Sequence, residues 1–318
     1  MQLNLMQIRN WIDEVGNVKL AFLATLTVGH LVVHWYTNLL SLVLPFIKED
    51  LTLNDVQIGT VVTTQMGIGS GLIIVSGFLA DSFRRRGALI VSIGVASLGL
   101  ALFLIGISPS YVWTLIGAGM IGLGTSLWHP AAMRALSLHF PEQRGMALSI
   151  HGVGASLGDS IGPIIVGAII LVADWKLVLG WHLIPALMAT LFLWKNLGVM
   201  REDNVQKSSQ DSYVSGIKAI CGDRQAIAII ASNTLILMSR LSVLAFFPIY
   251  IKETLGYSAF ALGVYLALLY ITGMFSLPVM GILSDRIGRK MILVPSFALM
   301  GFLYMGIFMV SGGVVLGL

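Results

Sequence analysis

Nine uninterrupted apolar runs, at about residues 20–46, 56–80, 87–107, 111–133, 145–172, 176–197, 225–250, 258–283 and 291–311, leave this chain few folds to choose from. Runs of about 20 apolar residues, rising 1.5 Å per residue, cross a hydrocarbon layer about 30 Å thick. Backbone groups inside lipid must be satisfied within the segment, and barrel strands would alternate over about ten residues, so the runs are predicted to be helices. Composition agrees: 57% of residues are hydrophobic, 11% are charged and the mean hydropathy is +0.89, whereas a soluble domain carries about a quarter charged residues. The expected class is an all-α polytopic membrane protein.

The runs are punctuated unevenly. Residues 1–19 mix Leu3, Leu5, Ile8, Trp11, Ile12 and Val15 with Arg9, Asp13, Glu14 and Lys19, the pattern of an amphipathic segment lying at the interface. They lack the cleavage site of a signal peptide. The one long polar stretch, REDNVQKSSQDSYVSGIK, follows the sixth run, which divides the chain into a six-helix bundle over 20–197, a linker over 198–224 and a partial second bundle over 225–318. The tail SGGVVLGL has the character of the opening of a tenth span. The single cysteine, Cys221, excludes an internal disulfide and a cysteine-built metal cluster.

Orientation follows from the loops. Of the 19 Lys and Arg residues, Lys48, Lys176 and Lys252 fall in one set of loops, Arg240 falls inside a span and the rest fall on the other side. Basic loops stay in the cytoplasm, so the N-terminus is expected to be cytoplasmic. The net charge of +4 is therefore read as a topology signal, and nucleic acid is not expected as a partner.

GFLADSFRRRG at 77–87 reappears as GILSDRIGRK at 281–290, six spans later and on the same side. Duplicated bundles of this kind build secondary transporters. The second copy, Gly281, Asp285, Arg286, Gly288, Arg289 and Lys290, resembles in full the G-x-x-x-D-R-x-G-R-K turn of the major facilitator superfamily. The first copy keeps Gly77, Asp81, Arg85 and Arg86 but has Ser82 for the first Arg and Arg84 for the second Gly. Under this resemblance the turns are gating latches, the Asp biased by helix dipoles and neighbouring bases; the plainer reading is that they only orient the turns. The resemblance also implies a major facilitator fold with an incomplete second half of about nine helices in all, hence a C-terminally truncated chain that transports poorly alone. It leaves the Asp81 turn without its usual partner helix and places the Asp285 turn near Arg144 and Gly145.

In the fifth span, Gly158, Gly162, Pro163 and Gly167 are similar to the G-x-x-x-G-P-x-x-G-G pattern of antiporters in the superfamily, with Val166 in place of one Gly. Such stripes also serve simple helix packing. The Arg usual in the middle of the fourth span is replaced by Ala118. GHLVVHWYTNLLSLVLP, LWHPAAMRALS and RGMALSIHGVGASLGDSIGP resemble the fosmidomycin-resistance branch, which exports a small phosphonate antibiotic.

Polar residues within spans are costly and usually functional. His30, His34 and Asn38 recur every four residues on one helix face, His151 and Asp159 share a side of the fifth span, and Arg240 shares a face of the seventh with Asn233. If the first, fourth and seventh spans line a cavity, as the resemblance implies, then His34, Asn38, Trp128, His129, Asn233 and Arg240 are the candidate cargo contacts. Arg240 suits an anionic group. His30, His34, His151 and Asp159 are the candidate proton carriers. Each has a structural alternative: hydrogen-bond glue for His30, His34 and Asn38, an ion pair with Asp159 for Arg240, an interfacial anchor for Trp128, and a shaped helix end for His129 with Pro130.

The expected function is a proton-coupled secondary exporter of small anionic or amphipathic cargo in the plasma (inner) membrane, with protons, cargo and lipid as partners. Metabolite uptake and a non-transporting product are the alternatives. No cofactor, metal or enzymatic activity is expected. There is no haem signature around His30, His34, His151 or His182, and no G-x-x-x-x-G-K-S/T loop for ATP.

Overall fold

The computed structural model describes residues 16–83, 86–198 and 210–307, and among these it contains helices and no strand. The helices are α1 (Asn17–Asp50), α2 (Asp55–Ser82), α3 (Gly87–Gly106), α4 (Tyr111–His139), α5 (Arg144–Ile169), α6 (Trp175–Trp181), α7 (Leu183–Asn196), α8 (Gln210–Gly222), α9 (Arg224–Ile249), α10 (Ala259–Ile287) and α11 (Arg289–Ile307). Every expected span is represented. The sixth is split at His182 into α6 and α7, and the linker, read from sequence as a polar connection, carries the short helix α8. Residues 1–15 of the expected amphipathic segment and the tail beyond 307 lie outside the described residues; 17–19 belong to α1.

Among the described residues, seven helical segments are long and apolar enough to cross a membrane. α4 is long enough, but glycines, His129 and Arg134 make it less apolar, and it packs against both α2 and α3. Ends are set by local chemistry. Asn54 caps α2 in a reciprocal box with Gln57, and the carboxylates of Asp174 and Asp223 accept the first free amides of α6 and α9.

Helices approach closely where side chains vanish. A Cβ on Gly154 would stand 2.2 Å from the carbonyl oxygen of Thr27, and one on Gly158 would stand 2.2 Å from that of Leu31, so α5 lies directly on the α1 backbone. Near its other end α5 meets α10 the same way: a Cβ on Gly263 would stand 2.2 Å from the carbonyl oxygen of Pro163, and one on Gly167 would stand 2.5 Å from that of Ala259. This α5–α10 seam is the most extensive contact between α1–α7 and the helices that follow. The core, including Leu26, Val33, Leu40, Val95, Leu102 and Ile121, is centred in α1–α7 and extends to Phe247 and Ile249 of α9, to Ile251, and to Leu262 and Leu266 of α10.

α9 ends in a π-turn, Tyr250–Thr254, that brings Lys252 and Glu253 to the end of α1. Lys48 Nζ lies 2.8 Å from Glu253 and 2.9 Å from Asp55, Glu49 pairs with Lys252, and Lys176 Nζ lies 2.7 Å from Asp50. The three lysines that the charge bias separated from the others are thus gathered at one end of the bundle.

Candidate functional site

The polar residues of α1 and α5 face each other because the glycine seam brings the two helices together. Asp159 Oδ1 accepts from His34 Nδ1 at 2.8 Å and from the Asn38 side-chain amide, and the Tyr270 hydroxyl donates to Asn38 Oδ1 at 3.1 Å. One carboxylate therefore ties together α1 and α5, and through Asn38 it reaches α10. Asp159 also lines a cavity of about 420 Å³ with Ser156, Arg240, Phe247, Tyr270 and Tyr304. The cavity lies between α5 and helices α9, α10 and α11, and two groups of opposite charge, Asp159 and Arg240, both line it.

Deeper in the bundle, His30 Nδ1 donates to the carbonyl of His151 at 2.9 Å, and the two imidazoles stack with centroids 4.0 Å apart. His129 Nδ1 donates to the carbonyl of Thr125 at 2.9 Å, and its ring stands edge-on to both His30 and His34. His129, which from sequence has the alternative of shaping a helix end, joins the histidine cluster instead. His182 is fully engaged in packing: Trp35 Nε1 donates to its Nε2, Tyr36 donates to its carbonyl, and its own Nδ1 donates to Val178.

Of the six expected cargo contacts, Arg240 alone is in the lining of this cavity; His34 and Asn38 touch its wall through Asp159, His129 lies in the histidine cluster, and the other two stand elsewhere. Trp128 is fully buried, and a Cβ on Gly29 would stand 2.2 Å from its ring, so it fills the α1–α4 interface without reaching the cavity. Asn233 is exposed and is not part of the cavity lining that includes Arg240. The hydrogen bonds place Asp159 with His34 and Asn38, where sequence alone paired it with Arg240 as the structural alternative. Sequence reasoning missed Tyr270 and Tyr304, aromatic residues in apolar runs that carry no distinguishing signal.

The first repeated turn is also partnered. Asp81 lies 3.0 Å from Arg134 Nε near the end of α4, so the turn has an ionic partner from a neighbouring helix of the same bundle, distinct from the partner helix of the other half that the resemblance leaves out. Arg86 lies over the Phe83 ring, and Arg84 and Arg85 are outside the described residues. In the second turn Gly288 has φ +95°, a left-handed geometry that suits glycine, with Arg286 and Lys290 exposed. The side chains of Asp285 and Arg289 lie outside the described set. Arg134→Ala is expected to lower stability by about 1 kcal/mol, typical of a partly exposed charge-assisted pair. Asp81→Asn should cost as much, and the double variant no more than either single one; unfolding midpoints of the purified protein in detergent measure this cycle.

The helix-5 residues divide between two surfaces. Gly158 and Gly162 meet α1, the latter against the Trp35 ring, while Pro163 and Gly167 meet α10.

Comparison with known proteins follows the same lines. The chain is 26% identical over 178 residues to the fosmidomycin resistance protein of Escherichia coli (strain K12), covering 56% of this chain and 43% of that one. It is 28% identical over 156 residues to the puromycin resistance protein of Streptomyces alboniger, covering 48% and 31%. It is 22% identical over 263 residues to the hexuronate transporter of Bacillus subtilis (strain 168), covering 79% and 61%. The chain thus spans less than two thirds of these relatives' lengths. Among solved structures, a bacterial homologue of the human lysosomal transporter Spinster, inward-facing and unoccupied, superposes with TM-score 0.69 at 16% identity, covering 84% of this chain and 63% of that one. The model of the Major Facilitator Superfamily matches residues 26–318, and the chain belongs to that superfamily.

Proposed function

We propose that the chain works as a proton-coupled secondary exporter of small anionic or amphipathic compounds by alternating access, in the plasma membrane with its N-terminus in the cytoplasm. The observation that carries this reading is the cavity between α5 and helices α9–α11, lined by Asp159 and by Arg240. Its volume of about 420 Å³ suits a small molecule. Arg240 offers a fork of donors to an anionic cargo group, and Asp159, tied to His34 and Asn38, takes the proton that offsets cargo exit. The moving units are the bundle over 20–197 and the helices that follow the linker, α9–α11, with the Asp81 and Asp285 turns as latches on the cytoplasmic face. The resistance proteins among its relatives favour export.

Everted membrane vesicles from cells producing the chain test this directly, and accumulation there would also overturn the expectation that the chain transports poorly alone. With an acidic lumen they are expected to accumulate a radiolabelled small phosphonate, and a protonophore should collapse the accumulation. Accumulation only in right-side-out vesicles would establish uptake instead.

The Lys48–Glu253 and Glu49–Lys252 pairs hold the opposite end shut in this reading. Lys48→Glu sets a new carboxylate against both Glu253 and Asp55 and is expected to destabilise the closed form by about 1–2 kcal/mol, since each exposed pair contributes about 0.2–1 kcal/mol. Faster hydrogen exchange over 250–254 measures the opening, and adding Glu253→Lys should restore protection in part, since the new Glu still faces Asp55.

A further inference from the structure

The histidine cluster has a second chemistry that the sequence did not announce. His30 and His34 on α1 and His129 on α4 each offer one ring nitrogen, and the three lie within 4.8 Å of one another. Each Nδ1 is already committed, to the His151 carbonyl, the Asp159 carboxylate and the Thr125 carbonyl respectively. A donating Nδ1–H fixes the neutral tautomer, which leaves a bare Nε2 lone pair on each ring. The His30 Nε2 is buried without a hydrogen-bond partner in a residue only 8% exposed. A buried acceptor left this way costs about 1–3 kcal/mol, and a cation would satisfy it.

Outer acceptors on the far nitrogen are what hold metal-ligating histidines in place: a carboxylate or a backbone carbonyl takes the Nδ1 proton and orients the ring. Here all three rings are held so, one by a carboxylate and two by carbonyls. A set of neutral imidazoles suits zinc, cobalt or nickel; magnesium and calcium want oxygen. Zn–N bonds of about 2.0–2.1 Å in tetrahedral geometry place ligand nitrogens about 3.3 Å apart, against the 4.8 Å within which one nitrogen from each ring already lies. Three ligands leave a fourth position open. Asp159, which lines the cavity and holds His34, connects the cluster to it, the two side chains being 13% and 27% exposed. His151 lies flat on His30, so its ring forms a wall of the site.

We infer that His30, His34 and His129 form a binding site for one divalent transition-metal ion beside the cavity. This rests on the imidazole geometry and stands apart from the direction or driving ion of transport.

The test uses the purified full chain in detergent, with no polyhistidine tag, titrated with Co²⁺. One Co²⁺ per chain is expected, with visible absorption bands of a nitrogen-rich four- or five-coordinate site that Zn²⁺ bleaches. His30→Gln and His129→Gln should each weaken binding at least about tenfold, the lower bound for disturbing even the outer shell of such sites, whereas His139→Gln should leave it unchanged. X-ray absorption of the Zn²⁺-loaded natural chain, which depends on no variant, should count three imidazole nitrogens. No cobalt bands at millimolar Co²⁺, undiminished binding in both site variants, or a shell of oxygens alone would each overturn the assignment.

Discussion

Asp159→Asn is expected to abolish proton-driven accumulation in everted vesicles while leaving the protein folded. The carboxylate accepts from His34 and from Asn38, and it lines the cavity. Asparagine keeps the shape and one acceptor oxygen, so Asn38 retains a partner and the α1–α5 contact survives. The amide cannot take up or release a proton in the working pH range, so an exchange that needs that event stops. Losing the charge also weakens the remaining hydrogen bonds, which with an ionised partner contribute about 1.5–3 kcal/mol, or about 10- to 100-fold in any equilibrium they set. Accumulation under an imposed pH gradient should fall to the level of vesicles lacking the chain, while downhill movement of cargo persists. Undiminished pH-driven accumulation in the variant would remove Asp159 from the coupling mechanism.

Gly158→Leu is expected to prevent the bundle from assembling. Even a Cβ there would stand 2.2 Å from the Leu31 carbonyl oxygen and 2.9 Å from the Trp35 amide nitrogen, both backbone atoms that cannot swing away. The helices must separate, and with them the hydrogen bonds from His34 and Asn38 to Asp159 are lost. Overpacking alone costs about 1–3 kcal/mol; with the polar hub broken as well, the variant should elute as aggregate in gel filtration. Gly152, on the same helix with nothing within 4 Å of its Cβ position, supplies the control. Gly152→Ala should hold or raise the melting midpoint, since alanine is the better helix former by about 1 kcal/mol.

Much of this architecture was legible because lipid imposes a length and a polarity on every crossing segment, and the charge bias separated Lys48, Lys176 and Lys252 from the other loop cations before any contact was known. The repeated turns and the glycines of α5 were visible as patterns. Partners across helices were not. Arg134 looked like one more cytoplasmic base; that it meets Asp81 depends on how α4 nests against α2. Tyr270 was hidden among apolar neighbours, since an aromatic ring facing lipid and one facing a cavity are written with the same letter. Trp128 failed in the opposite direction: it stood among polar residues, yet the missing side chain at Gly29 makes room to bury it. The helix α8 went unseen because its polar composition resembles a loop.

The seam between α5 and α10 has a mechanical side. Most packed helices interlock, ridge into groove, and sliding them requires side chains to climb over one another. Where Gly167 and Gly263 bring bare backbone against backbone, there are few teeth to disengage. Such a surface works as a plain bearing, with tight clearance and low resistance to small rotations. Its place on α5, one to two turns beyond Asp159, means that a few degrees of tilt there would be geared up into a larger change in width at the far end of the cavity.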